Sequence, residues 1–293
     1  MIKILLQQIV NGLTVGSTYA LIALGYTMVY GILKIVNFAH GDIFMIGSFL
    51  GLVFVKVFNL PLFAAFVLSA VCTAIVGMFI ERVAYRPLRM TERIIPLISA
   101  MGVSIFLSSF AQKVWGTEMH PFPGASEIGV YVVGDVVFSE IQIFILMLSF
   151  LLMVLLYLFV NKTKLGVAMR ATSMSITNAS LMGIDTNKTI STAFAVGSAL
   201  ASCAGIMVGL YYNAVYPTMG YMSGIKAFTA AVLGGIGSIP GAMLGGIILG
   251  VVENLGGAYI STQYQDIIAF SILVIVLIIK PTGILGKKEI NKV

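Results

Sequence analysis

In an apolar chain the chemistry is carried by a handful of polar side chains. Asn37, His40 and Asp42 lie together in Asn37-Phe-Ala-His-Gly-Asp42, between two long apolar stretches; Glu253, Asn254 and Asp266 lie in or beside two more. Ionisable groups held in lipid are costly, and they mark substrate or ion paths, or bonds between helices. Asn37, His40, Asp42, Glu253 and Asn254 are therefore the candidate pathway or gating residues. Glu253 suits that role and equally suits a structural bond to a neighbouring helix. His40 and Asp42 also suit the capping and anchoring of a helix end. Asp266 fits the first turn of a helix, where the dipole favours an acid.

Enzyme chemistry finds no foothold. The phosphate-binding pattern G-x-x-x-x-G-K-[ST] is absent, as are H-E-x-x-H and G-x-S-x-G. Asp42 and Asp266 could suggest an intramembrane aspartyl protease, but Asp42 follows Ala-His-Gly and not G-x-G. The only histidines are His40 and His120, and Cys72 and Cys203 both fall in apolar stretches without metal-ligand spacing. Neither a disulfide, a metal nor a catalytic residue is expected.

These residues need a scaffold, and composition says which kind. Hydrophobic residues make up 59% of the 293 and charged residues 10%, with a mean hydropathy of +1.05. Soluble domains carry about 25% charged residues, so the solvent for this chain is lipid. The net charge of +6 would suggest nucleic acid in a soluble protein, but here the bases stand at the ends of apolar stretches. A topology signal is the better reading, and no nucleic-acid partner is expected.

A helix crosses the hydrocarbon with roughly 20 apolar residues. Such stretches occur at 10–33, 41–58, 62–80, 94–113, 141–160, 189–212, 240–259 and 264–280. The piece 225–235 is too short to cross alone and runs into Gly234, Gly235, Gly237 and Pro240, the pattern of a broken or re-entrant helix. The expected fold is all-α: one polytopic domain over 1–293 with about eight to nine spans. The first stretch lacks a cleavage site followed by a polar domain and is read as retained.

Bases set the sidedness. Arg82, Arg86, Arg89 and Arg93 fall in 81–93; Lys162, Lys164, Arg170 and Lys188 in 161–188; Lys280, Lys287, Lys288 and Lys292 in the tail. The loop 114–140 carries Glu118, Glu127, Asp135 and Glu140 and no base. The positive-inside rule predicts cytoplasmic placement of the three basic regions, C-terminus included, and an extracytoplasmic 114–140. Counting spans back from residue 81 puts the N-terminus outside.

Small residues recur at helical spacing in Gly12-x-x-x-Gly16, Gly47-x-x-x-Gly51 and Gly246-x-x-x-Gly250, which suits close helix packing in lipid. The run from His40-Gly41 to Gly51 echoes that from Pro240-Gly241 to Gly250, as expected of a duplicated transporter half. The segment 161–188 differs from an ordinary linker. Its Ala168, Met169, Ala171, Ala179, Leu181 and Met182 form short amphipathic turns, stopped by Gly183. An apolar face on a short helix outside the membrane suits docking in a partner's groove, or lying on the membrane surface.

Several motifs in order resemble the permease subunits of branched-chain amino acid ABC importers, the LivH type. They are Asn11-Gly-Leu-Thr-Val-Gly-Ser-Thr-Tyr-Ala-Leu, Asn37-Phe-Ala-His-Gly-Asp42, Glu81-Arg-Val-Ala-Tyr-Arg-Pro-Leu-Arg89, Gly166-Val-Ala-Met-Arg-Ala171 and Leu233-Gly-Gly-Ile-Gly-Ser-Ile-Pro-Gly-Ala242. The resemblance covers almost the whole chain. It implies a type II ABC importer-like fold in a bacterial plasma membrane. It also implies a second permease (identical or a paralogue), two cytoplasmic ATP-binding subunits that hold ATP–Mg, and an extracytoplasmic substrate-binding protein; no cofactor is implied for this chain. The segment 165–185 would be the coupling region that docks on the ATPase, with Arg170, Asn178, Ala179 and Gly183 as coupling residues. It keeps one alanine and the glycine of the importer pattern E-A-A-x-x-x-G and lacks its Glu. A relative importing urea, short amides or simple sugars would share the fold, and a stand-alone carrier or channel would need no ATPase.

Overall fold

The computed structural model describes residues 2–92, 94–123, 129–134 and 136–286. Arg93, Glu127, Asp135, Lys287, Lys288 and Lys292, used above for sidedness, lie outside them.

Helices run in the order α1 (Ile2–Leu33), α2 (His40–Lys56), α3 (Leu62–Ile80), a π-helical turn (Glu81–Tyr85) and α4 (Ile94–Trp115). After a hairpin of β1 (Val130–Val133) and β2 (Val136–Ser139) come α5 (Glu140–Lys162), α6 (Lys164–Met174), α7 (Ile176–Leu181) and α8 (Thr186–Tyr212). The chain ends with α9 (Met219–Gly234), α10 (Ile239–Tyr259), a 3-10 turn (Thr262–Tyr264) and α11 (Gln265–Ile279). Side chains set most boundaries. Ser139 and Gln142 form a capping box at α5, while Thr163, Ser175, Asp185 and Ser238 cap α6, α7, α8 and α10 through their side-chain oxygens. Left-handed Asn213 ends α8.

Seven helices among the described residues are long and apolar enough to cross a membrane. Two more, α2 with 17 residues and α9 with 16, are shorter. The short piece expected at 225–235 is thus a helix that begins six residues earlier, at Met219, and ends where Gly235 turns with φ +106°. The break leaves α9 carbonyls free, and the segment after α11 takes them: Ile284 N–H donates to Leu233 O and Leu285 N–H to Gly234 O, each at 2.9 Å. A broken helix survives in lipid only when protein satisfies the freed groups.

Two long helices, α1 and α8, form the centre and cross where Gly25 meets Gly197. Around them the order long, short, long occurs twice, as α1–α2–α3 and α8–α9–α10. Helix α1 packs on α10 as α8 packs on α3, and α9 packs on α1 as α2 packs on α8. The two short helices touch through Gly41 against Gly220 and Gly224. The duplicated arrangement therefore matches α2 with α9 and α3 with α10, whereas the sequence echo had matched α2 with α10. What the echoed motifs share is a use: Gly47 and Gly51 seat α2 on Ser202 and Ile206 of α8, and Gly246 and Gly250 seat α10 on Ala20 and Gly16 of α1.

A short hairpin joins α4 to α5 within the otherwise helical fold. Val130-Tyr-Val-Val and Val136-Val-Phe-Ser are rich in β-branched and aromatic residues, and Gly134 at φ +64° lies in the turn between them. Its edge is covered by one side chain of α1. The Gln7 amide donates to Val137 O at 2.9 Å and accepts from Val137 N–H at 2.8 Å, standing in for a neighbouring strand.

Candidate functional site

The residues singled out in the sequence form two separate polar sites inside the bundle and one segment beside it. The first site is the start of α2. Asp42 stands in the first turn, where the helix dipole favours an acid. Its carboxylate accepts from Ser108 Oγ at 2.7 Å and from Ser104 Oγ, one turn apart on α4. Asn37 lies in the linker before α2; its Oδ1 accepts from the Ala39 backbone N–H at 3.1 Å and from the Tyr85 hydroxyl at 2.7 Å. His40 caps nothing. Its ring is buried edge-on to Tyr26, with 4.8 Å between centroids, in a space that only glycine at position 25 leaves. A Cβ on Gly25 would come within 2.1 Å of His40 Nε2.

The second site joins four helices. Lys226 of α9 reaches Glu253 of α10 at 2.6 Å and Asp266 of α11 at 2.7 Å. Tyr19 of α1 donates to the same Glu253 oxygen at 3.4 Å. The sequence reading had named both acids and missed the lysine between them. The signal was there, since Lys226 is a lone base in an apolar stretch. Asn254 does not join this group, because its amide turns back to Gly250 O of its own helix at 2.9 Å. Among the described residues, Asn37 Nδ2, His40 Nε2 and Glu253 Oε2 are buried without a hydrogen-bond partner. Such atoms are uncommon and call for an explanation.

The segment beside the bundle is α6 and α7. Thr163 and Ser175 start the two helices, and Gly183, at φ +82°, ends the turn after α7. Ala179 is buried, whereas Asn178 is exposed. Of the expected apolar face only Leu181 and Met182 are exposed, at 81% and 85%; Met169 and Ala179 turn inward and are buried, and Met174, at 89%, joins the exposed pair instead. Arg170 turns back, its guanidinium donating to Val160 O at the end of α5. Asp185 begins α8 and accepts the Lys188 backbone N–H, which holds its carboxyl below the usual aspartate range.

The described parts of all three basic regions lie at one end of the bundle. Arg89 of 81–93 donates to Asn187 in the first turn of α8 at 2.5 Å. Arg170 and Ser173 line a small cavity with Ile32, Gly237 and Ile239, next to the break that holds residues 284 and 285. The loop 114–140 is at the opposite end, where His120 pairs with Val215 after α8 and the hairpin leans on Gln7.

Comparison with known proteins supplies the frame for these sites. Residues 8–277 match the family model described as branched-chain amino acid transport system / permease component. The chain is 48% identical to the high-affinity branched-chain amino acid transport system permease protein BraD of Pseudomonas aeruginosa, over 98% of each chain. It is 46% identical to the corresponding permease protein LivH of Escherichia coli strain K12, over 98% of this chain and 97% of that one. A solved structure, PsaBC from Streptococcus pneumoniae in complex with Fab, aligns over 93% of this chain and 91% of that one with a TM-score of 0.47 and 13% identity. With a family model spanning nearly its whole length and two relatives of like length close to half identical, this polytopic helical chain belongs to the branched-chain amino acid transport permease component family.

Proposed function

We propose that this chain is the transmembrane permease subunit of an ATP-driven importer of branched-chain or other hydrophobic amino acids. The observation that carries the reading is the end-to-end similarity to two permeases named for high-affinity branched-chain amino acid transport. The chain works with a second permease, identical or a paralogue, with two cytoplasmic subunits that bind and hydrolyse ATP–Mg, and with an extracytoplasmic protein that delivers the amino acid. Its basic end is cytoplasmic and its hairpin end extracytoplasmic, as the distribution of bases favours.

In this reading the exposed face of Met174, Leu181 and Met182 seats α6 and α7 in a groove of the ATPase. ATP drives a conformational change only through its different affinity for two arrangements of the whole complex. The short helices α2 and α9 are the elements suited to move. They meet at glycine, so no interlocked side chains resist sliding at that crossing. The buried atoms without partners at Asn37, His40 and Glu253 then find partners in the other arrangement, which makes these residues gating groups.

Reconstituting the permease with its partner subunits in proteoliposomes tests the assignment. Leucine uptake should require ATP, the ATPase subunits and the binding protein together. Leucine flux through this chain alone would overturn it and would indicate a carrier or channel.

A further inference from the structure

The Glu81–Tyr85 turn holds a set of bonds that the reading above does not use. It is π-helical, a rare conformation that concentrates at functional places in helices. Glu81 and Tyr85 are both buried, at 0% and 1% exposure. Glu81 faces α8: its carboxylate accepts from Ser191 Oγ at 2.5 Å and pairs with Arg86 at 3.4 Å and Arg89 at 3.8 Å. Arg86 also donates to Ser191 Oγ at 3.2 Å, and Arg89 to Asn187 Oδ1 at 2.5 Å. Tyr85 continues the contact along α8, its ring 5.1 Å from that of Phe194. On its other side the Tyr85 hydroxyl donates to Asn37 Oδ1 at 2.7 Å. That same oxygen accepts the Ala39 N–H, and Ala39 is the cap of α2, which has no side-chain cap of its own.

A continuous set of bonds thus runs from the first turns of α8 through the π-turn to the start of α2. The first turn of α8 follows directly on Gly183 and the exposed face of α7. We propose that the Glu81–Tyr85 turn is the joint that transmits displacement of the α6–α7 segment to the start of α2, with Glu81, Tyr85 and Ser191 as positioning residues. This rests on the assignment of α6–α7 as the ATPase-docking segment. Each link is a directed hydrogen bond or a packed ring, so a shift of α8 by a fraction of a bond length is felt at Asn37. Spatial intermediacy alone does not establish such coupling, and the test therefore reads coupling itself.

The experiment uses the whole complex in proteoliposomes, with leucine uptake and ATP hydrolysis measured on the same vesicles. Tyr85→Phe removes one hydroxyl and keeps the ring on Phe194; Ser191→Ala removes one donor to Glu81. Each should lower leucine imported per ATP hydrolysed by about fivefold, the equivalent of one net hydrogen bond made in one state and not the other. Hydrolysis stimulated by the loaded binding protein should be retained. The links act in series, so the double variant should lose no more than the worse single one, a non-additivity typical of residues acting in one network. Unchanged uptake per ATP in both single variants would overturn the joint. So would losses that multiply in the double variant, or uptake and hydrolysis falling together with a lowered melting temperature, the mark of a merely structural role. Leu181→Asp tests the underlying assignment separately: it should abolish stimulated hydrolysis and uptake. If Leu181→Asp changes neither, the docking assignment fails. If it abolishes both while Tyr85→Phe and Ser191→Ala stay coupled, only the joint fails.

Discussion

At the scale of single residues, Lys226 is the position on which most charge depends. It is the cation for two acids, one of them more buried than itself. Truncating one member of a buried ion pair strands the other, at a cost of about 3–5 kcal/mol. Lys226→Met should approach that cost through Glu253, while Asp266, nearly half exposed, adds little. Adding Glu253→Gln should recover most of the loss, because no buried charge then stands alone. Unfolding of the detergent-solubilised protein checks both, and an equal loss in the single and double variants would contradict the pairing. Asn254→Ala should change stability by no more than about 0.5 kcal/mol, since its amide only returns to its own helix. Of this site, Glu253 and Asp266 were legible in the sequence as acids in or beside lipid. Their grouping with Lys226 and Tyr19 was not, because four helices must pack before those side chains meet. Gly183 was legible as a helix stop, and the structure gives the reason. Its φ of +82° lies in the left-handed region, and a Cβ there would meet nothing within 4 Å. Gly183→Val should therefore uncouple hydrolysis from uptake through backbone strain, whereas Gly183→Asn, which tolerates that conformation, should stay coupled; equal defects in the two would point to a contact made by the glycine itself.

At the scale of elements, glycine marks where helices must touch, and spacing alone did not tell which glycines matter. Gly12, Gly16, Gly47, Gly51, Gly246 and Gly250 were visible as pairs four residues apart, and all six seat a helix on a neighbour. Gly25, Gly41 and Gly220 belong to no such pair in the sequence reading, yet they sit at the central crossings. Gly220 does stand four residues before Gly224, a spacing the sequence reading passed over, whereas only tertiary packing singles out Gly25 and Gly41. The same limit hid the extra turns of α9, whereas the hairpin had a local signal, its β-branched and aromatic strands around Gly134, that the reading for apolar spans passed over. A Cβ on Gly41 would come within 2.3 Å of Gly220 O, and backbone cannot yield as a flexible side chain can. Gly41→Ala should force α2 from α9 and cost about 1–3 kcal/mol. Gly102 in the middle of α4 is the control, with nothing within 4 Å of its would-be Cβ. Gly102→Ala should gain about 0.5–1 kcal/mol of helix propensity. Thermal midpoints of the two variants would separate a crossing from a free surface, and a destabilised Gly102→Ala would mean that α4 meets a partner there.

For the whole molecule, sidedness is a prediction that depends on where bases fall and not on packing. The bonds now tie those regions together independently of the rule. Residues 284 and 285 close the α9 break, Arg89 holds the first turn of α8, and Arg170 lines the cavity beside the break, so the described parts of the three basic regions share one end. His120 and the hairpin share the other. A chain so bonded cannot place its C-terminal segment and its α6–α7 segment on different sides of a membrane without unfolding α9. The positive-inside rule assigns the basic end to the cytoplasm, and the prediction covers both ends at once. With Cys72 and Cys203 replaced by alanine, single cysteines are introduced at the exposed positions Met119, Leu181 and Leu285. In intact cells a membrane-impermeant maleimide should label Met119→Cys and spare Leu181→Cys and Leu285→Cys. After permeabilisation all three should react. The reverse pattern would turn the molecule over and move the docking face to the outside. Labelling of Leu181→Cys and Leu285→Cys from opposite sides would break the fold itself, since the bonds at Leu233 and Gly234 hold residues 284 and 285 at the same end as α6 and α7.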